Sequence, residues 1–306
     1  MASFDVHILG CGSATPSLRH QPACQVIDFR DRLMMIDCGE GSQLAMRRQR
    51  LKFSRLRDIF ISHLHGDHFL GLPGLLSTMD LCQAGGPVTI HIFEEGAELL
   101  KTIMQTVCPS TGFDIHYNII KPERATILDL PSLTVSTVPL YHRVPAVGFI
   151  FREKPLPRRM LPEMASAYGI PTYKLNAIKA GEDFVMPDGS IVPNNRITAD
   201  PRDPVSYGYA SDTAFDPRIV TGFRGVDVLY HEATYADDNA HKAAIRGHST
   251  AREAGRVARR TGAKMLILGH FSKAYTDEDA HVAEAKEEFS GEVVAANEGM
   301  TIKILQ

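Results

Sequence analysis

The segment His63-Leu64-His65-Gly66-Asp67-His68 constrains this chain more than any other. It follows an apolar run, Asp58–Ser62, that reads as a β-strand. In extended backbone the side chains at i and i+2 point the same way, so His63 and His65 can meet one ion. Gly66 permits a sharp turn that aims Asp67 and His68 elsewhere. Imidazoles completed by a carboxylate suit zinc. One strand-end loop can therefore serve two neighbouring metals, and such loops commonly carry catalytic groups.

Further ligands are available downstream. His142 follows the predicted strand Leu133–Val138, Asp212 follows Ser206–Ala210, and His270 follows Met265–Leu268. Each lies just past a strand, where loops converge on one edge of a sheet. Glu232 follows the strand Val226–Tyr230, within His231-Glu232-Ala233-Thr234. His248 stands in Gly247-His248-Ser249-Thr250 ahead of a helical pattern, so it either belongs to the site or merely precedes a helix cap. His7, His91 and His116 fall inside predicted strands and read as structural. His20, His241 and His281 read as exposed, and His231 stays ambiguous.

The remaining strands are expected at Phe4–Leu9, Gln25–Phe29, Leu33–Asp37, Val88–Phe93 and Val147–Phe151. Helical patterns cover Gly41–Arg50, Leu70–Gln83, Gly96–Val107, Thr250–Thr261 and Asp277–Phe289, the last with Thr276 as its expected N-cap. Early strands follow one another as hairpins, and later ones alternate with helices. That order suggests an α/β protein with two mixed sheets face to face and helices outside, although periodicity alone does not separate this from other large α/β folds. The 306 residues suit one large domain. Residues 152–195 interrupt it with Pro155, Pro157, Pro162, Pro171, Pro187 and Pro193, and read as either a projecting insertion or a surface loop.

A formal net charge of -3 argues against nucleic-acid binding by bulk charge, and leaves room for a local basic patch. Arg47, Arg48, Arg50, Lys52, Arg55 and Arg57 form one basic run, which serves either RNA or simply solvation. The insertion adds Arg152, Lys154, Arg158, Arg159, Lys174 and Lys179, which could contact phosphates. The five cysteines contain no C-x-x-C pair, and Met1–Gly10 has neither a basic stretch nor a long apolar one. A reducing cytoplasm is therefore expected, with no membrane span.

The loop His63–His68, with His142, Asp212 and His270, resembles the metallo-β-lactamase superfamily. The whole chain is similar to the short form of ribonuclease Z, the endoribonuclease that trims the 3′ trailer from tRNA precursors. The matching stretches are Leu9-Gly-Cys-Gly-Ser-Ala-Thr-Pro-Ser17, Ile36-Asp-Cys-Gly-Glu-Gly-Ser-Gln43, the metal loop, Ser211-Asp-Thr213, His231-Glu-Ala-Thr234 and Gly247-His-Ser-Thr250. The last two are the most specific to the family. A Gly-Pro-rich arm tip common in the family is missing from Gly169–Gly181.

The resemblance implies a four-layer αββα sandwich over 1–306, with 152–195 as an arm that grips tRNA, and a homodimer. It implies two Zn2+ per subunit. One ion is held by His63, His65, His142 and Asp212, and the other by Asp67, His68, Asp212 and His270. Asp67 is implied as base, and His248, oriented by Glu232, as general acid. No DNA partner is expected.

Rival functions are a small-substrate phosphodiesterase or sulfatase, a flavin-linked di-iron oxidoreductase and a non-catalytic RNA-binding module. The long basic insertion disfavours the first. The second replaces the loop's second histidine with Glu, and His65 is intact. The third would tolerate missing ligands, and none is missing.

Overall fold

A computed structural model describes residues 3–304, so the extremes of the 1–306 span lie outside it. The first sheet contains β1 (Phe4–Gly10), β2 (Cys24–Phe29), β3 (Arg32–Ile36), β4 (Leu56–Phe60), β5 (Val88–Ile92) and β6 (Ile115–Ile119). The second begins with β7 (Thr126–Asp129), β8 (Leu133–Pro139) and β9 (Val147–Glu153). Four two-residue strands follow: β10 (Arg159–Met160), β11 (Phe184–Val185), β12 (Ile191–Val192) and β13 (Thr198–Ala199). The second sheet resumes with β14 (Ser206–Ala210), β15 (Val228–Glu232), β16 (Met265–Gly269) and β17 (Glu292–Ala295), and β18 (Thr301–Lys303) returns to the first. The sheet orders are β18-β1-β2-β3-β4-β5-β6 and β17-β16-β15-β14-β9-β8-β7.

The expected progression from hairpins to crossovers holds. β1, β2 and β3 pair antiparallel, whereas β3 through β6 pair parallel, as do β14 through β17. The two sheets face each other. Phe60 on β4 lies 5.4 Å from Phe149 and 5.3 Å from Phe151 on β9, and the Tyr207 hydroxyl on β14 donates to Gln25 on β2. On the opposite side of the first sheet, Val26, Met35, Ile59 and Ile90 pack against Met46, Leu75, Leu76 and Leu100 of its helices. The helix Ala251–Thr261 packs on β15 and β16. Helices thus cover both sheets, giving the αββα order.

Parallel central strands bury both faces, which is why they read as continuous apolar runs ending in polar loops. Their boundaries shift from expectation. The strand before the metal loop ends at Phe60, and the strand before Glu232 includes that residue. Strands β7, β17 and β18 escape the sequence pattern because each is short and half exposed. The final helix runs Asp279–Glu288 with Glu278 at its N-cap, so Thr276 does not cap it.

A second compact unit comprises Leu130–Leu133 and Arg152–Pro204, extending past the expected Asn195. Its core is Ile178, Phe184, Val192 and Ile197, with Met160, Tyr168, Ile170 and Met186 around it. Asn194 ties it together by donating to the carbonyls of Ile178 and Glu182, at 2.7 Å each.

Two histidines expected on the surface are buried. His20 sits between Glu298 (3.0 Å from Nδ1) and Glu278 (3.1 Å from Nε2), which raises its pKa even though burial opposes the charge. His281 is fully buried beside Phe271 and Tyr275, and neither ring nitrogen has a partner among the described residues. Conversely His116, expected to be structural, is exposed on β6.

Burial lowers the His281 pKa to about 4. The folded form therefore resists a proton that the unfolded chain accepts below about 6.5. Its stabilising contribution is complete above that pH and is lost as pH falls toward 4. By pH 5 the loss is about 2 kcal/mol. His281→Phe should flatten the fall in melting temperature between pH 7 and 5, measured by thermal denaturation. An unchanged slope would count against this reading.

Candidate active site

The structure gathers the expected residues at one edge of the two sheets. Ile61-Ser62-His63-Leu64-His65 leaves β4, and Gly66–Phe69 forms a single helical turn. His142 follows β8, Asp212 follows β14 and His270 follows β16. His63 Nε2 lies 3.0 Å from His65 Nδ1 and 3.6 Å from Asp212 Oδ2. His142 Nε2 lies 3.2 Å from His65 Nδ1 and 3.8 Å from the same Asp212 oxygen. The other Asp212 oxygen, Oδ1, faces His68 Nε2 at 3.4 Å and His270 Nε2 at 3.1 Å. Asp67 Oδ2 lies 3.2 Å and 3.3 Å from those two nitrogens. Asp212 thus stands between two clusters, one oxygen toward each.

Second partners decide which ring nitrogen faces the centre. His142 Nδ1 donates to the Gly247 carbonyl at 2.7 Å. His68 Nδ1 donates to Asp37 Oδ2 at 2.8 Å. The Ser62 hydroxyl donates to Asp37, so it accepts from His63 Nδ1 at 3.0 Å. The Thr234 hydroxyl donates to Glu232, so it accepts from His270 Nδ1 at 2.8 Å. With those Nδ1 atoms engaged, each ring presents its Nε2 inward, the orientation a metal requires.

Several observations fit a bound cation. Five imidazole nitrogens and two carboxylates converge at separations close to the edges of a tetrahedron with bonds of about 2.0–2.1 Å. His68 Nε2 and Asp212 Oδ1 are buried with no hydrogen-bond partner among the described residues, a costly state without a positive ion nearby. Burial and the neighbouring histidines push the His63 pKa well down, keeping that ring neutral and able to ligate. Burial opposes charge on Asp67, yet His68 and His270 hold its carboxyl well below the usual range. Cys11, His20 and Glu298 also cluster, but there the polar atoms find protein partners: Glu298 accepts from the Gln21 and Cys11 N–H groups and from His20.

His248 lies beside the His/Asp clusters. Its Nδ1 donates to Glu232 Oε1 at 3.0 Å, and Nδ1 lies 3.9 Å from Asp212. Burial would lower its pKa, but Glu232 raises it to about 9. Glu232 is fully buried and accepts N–H bonds from Thr213, Thr234 and Ser249 at 3.0 Å each, which with His248 keep it ionised. Thr250 nevertheless caps the next helix in a capping box with Glu253, so the cap and the site residue coexist in nearby positions. His231 is buried with Nδ1 on the Glu232 carbonyl and takes no part in the clusters.

Asp37, Ser62 and Thr234, the groups that orient the imidazoles, do not stand out in the sequence pattern. Asp37 and Thr234 lie within the stretches shared with the family, and their buried strand-end positions are the available signal. Gly71 holds the metal loop down: a Cβ there would lie 1.9 Å from the Gly39 carbonyl oxygen. That close approach lets Cys38 N–H donate to His68 O and Gly71 N–H to Cys38 O.

The basic residues are dispersed. Arg55 pairs with Asp28, and Arg47 bonds Cys82, so much of the early run is structural. In the second unit Arg158 pairs with Asp200 and Thr198. Arg158, Arg159 and Lys179 line a cavity of about 760 Å³, and Arg152, Lys154 and Lys174 do not.

Two facing mixed sheets with this His/Asp cluster at one edge define a metallo-β-lactamase-fold protein. A solved protein of that fold, YhfI from Bacillus subtilis, matches with TM-score 0.69 and 19% identity over 98% of this chain and 99% of its own. Human tRNase Z, short form, matches with TM-score 0.70 and 25% identity over 99% of this chain and 100% of its own. Ribonuclease Z of Parabacteroides distasonis is 44% identical over 305 residues, 99% of this chain and 100% of that one. The chain belongs to the ribonuclease Z family, a hydrolytic endoribonuclease, and by its residues 4–156 also to the family described as Anti-Pycsar protein Apyc1.

Asp37→Ala should weaken metal retention by about 10–100-fold, because it frees the His68 ring. Equilibrium dialysis against a chelator checks this. Undiminished retention would remove Asp37 from the site.

Proposed function

We propose that the protein cleaves the 3′ trailer from tRNA precursors, leaving a 3′-hydroxyl on the tRNA and a 5′-phosphate on the trailer. The observation that carries this is the Glu232–His248 pair beside the two His/Asp clusters, in a chain whose full-length relatives are ribonucleases Z. His63, His65, His142 and Asp212 would hold one Zn2+, and Asp67, His68, Asp212 and His270 would hold the second. Bound zinc would supply Lewis acidity, a nucleophilic water near neutral pH and charge neutralisation at the phosphate.

The protein's own groups do the rest. Asp67 receives the water proton, although a carboxylate that also ligates a metal is a weakened base. Its larger contribution is to holding the metal. The water oxygen bonds to phosphorus as the bond to the 3′ oxygen breaks. His248 gives that oxygen its Nε2 proton, while Glu232 holds Nδ1. The phosphate stays on the trailer's 5′ oxygen.

The second unit serves as the RNA-holding arm in this reading. Its support is the cavity lined by Arg158, Arg159, Lys179 and Arg202 together with Asp200, and Arg152, Lys154 and Lys174 are assigned as further phosphate contacts in this reading. A homodimer and a cytoplasmic setting complete the reading. Among the described residues no helix is long and apolar enough to cross a membrane.

The zinc-loaded protein should cut a precursor carrying a 3′ trailer, and end-group analysis should find the products above. His248→Ala should lower kcat by about 10²–10⁴-fold with zinc content unchanged, and Asp67→Ala should lose zinc as well. An intact precursor with metal-loaded wild type overturns the assignment. Full activity in His248→Ala removes the acid.

A further inference from the structure

Two openings flank the His/Asp clusters, and their charge differs. One is a cavity of about 620 Å³ that reaches His248 and His270. Arg143, Lys242, Arg246 and Lys273 line it, and among the described residues no acidic one does. The other is a cleft of about 310 Å³ beside His65 and Asp67, where Glu40 and Asp67 offset the same Arg143. Among the described residues Arg143 alone contributes an arginine or lysine side chain to both. The four cations come from separate places in the chain: the turn after His142, the helix Ala240–Arg246 and the loop after His270. Arg246 is anchored by donating to the Tyr235 hydroxyl at 2.9 Å, so it is held at the wall.

Side chains of one sign around an opening gather phosphates by charge. The direction of the RNA follows from His248. The oxygen that His248 protonates is the 3′ oxygen of the last nucleotide retained on the tRNA. That nucleotide must therefore lie on the His248 side.

We propose that Lys242, Arg246 and Lys273 form a phosphate-binding subsite for the strand 5′ to the cut, with Arg143 contacting the scissile phosphate at the junction. The trailer leaves through the smaller, mixed-charge cleft. This inference rests on the reading of His248 as the acid. It assigns a firm electrostatic grip to the mature 3′ end and a loose one to the trailer. Trailers of differing sequence are then accepted alike, because few charges hold them.

The test uses the zinc-loaded full chain and reads binding as well as cleavage. Affinity for mature tRNA and for a 5′-phosphorylated trailer oligonucleotide is measured by fluorescence anisotropy across a salt series. The triple variant Lys242→Ala/Arg246→Ala/Lys273→Ala should bind mature tRNA about tenfold or more weakly, with a salt slope shallower by about one for every phosphate it no longer neutralises. Its affinity for the trailer should stay at the wild-type value. A 4-thiouridine placed as the last nucleotide of mature tRNA should cross-link to the segments around Lys242–Arg246 or Lys273. Placed first in the trailer, it should cross-link around Glu40 or Leu70. Arg143→Ala should lower kcat more than it weakens tRNA binding, with partial recovery in Arg143→Lys. Unchanged tRNA affinity and salt slope, or reversed cross-links, overturn the subsite even if the precursor is cleaved normally. Failure of wild type to cleave overturns the tRNA reading itself, and this inference with it.

Discussion

A single buried carboxylate, Asp37, joins the parts on which the site depends. It accepts from the Ser62 N–H at 2.8 Å and the Ser62 hydroxyl at 2.9 Å, from His68 Nδ1 at 2.8 Å, and from the Tyr209 hydroxyl at 2.8 Å. Those donors come from the strand-end loop, the following helical turn and the facing sheet. One group thus sets the ring angle of His68, positions the loop that carries His63 and ties it to β14. A charge this deep is tolerable only when hydrogen bonds surround it, and Asp37 has them. Its backbone φ of 55 is left-handed, as is that of His270 at 60, so both are held in uncommon conformations at the site.

Glu232 does the same on the other side. Its two oxygens collect three backbone N–H groups, the Thr234 hydroxyl and His248. Through Thr234 it also orients His270. The metal clusters and the proposed acid therefore share one rigid support. Gly247 adds a third link: its left-handed backbone ends the helix Ala240–Arg246 and presents its carbonyl to His142. A side chain there would be strained, and its Cβ would lie 3.1 Å from the His142 ring. The site is organised by polar contacts behind the ligands, which leaves the ligand atoms facing inward.

Much of this is legible in the chain. The strand-end placement of His63–His68, His142, Asp212 and His270 follows from apolar runs that stop at polar residues. Where the sequence misleads, the reason is physical. β17 and β18 are short and partly exposed, so their alternation is weak. Thr276 has the chemistry of a cap, but the helix starts two residues later than a cap there would require. His20 and His281 look like surface residues by type, and their burial depends on Glu298, Glu278, Phe271 and Tyr275.

The sequence by itself determined which residue types end each strand, and hence that the loop His63–His68 and three later candidate ligands would share one edge. Those are local matters of periodicity and side-chain chemistry. Only the tertiary structure decided how His63–His68 is used. Asp212 divides its oxygens between two clusters, Asp37 and Ser62 choose the inward nitrogens, and Arg143 stands between two unlike openings. Each depends on groups far apart in the chain, brought within hydrogen-bond reach when the sheets pack face to face.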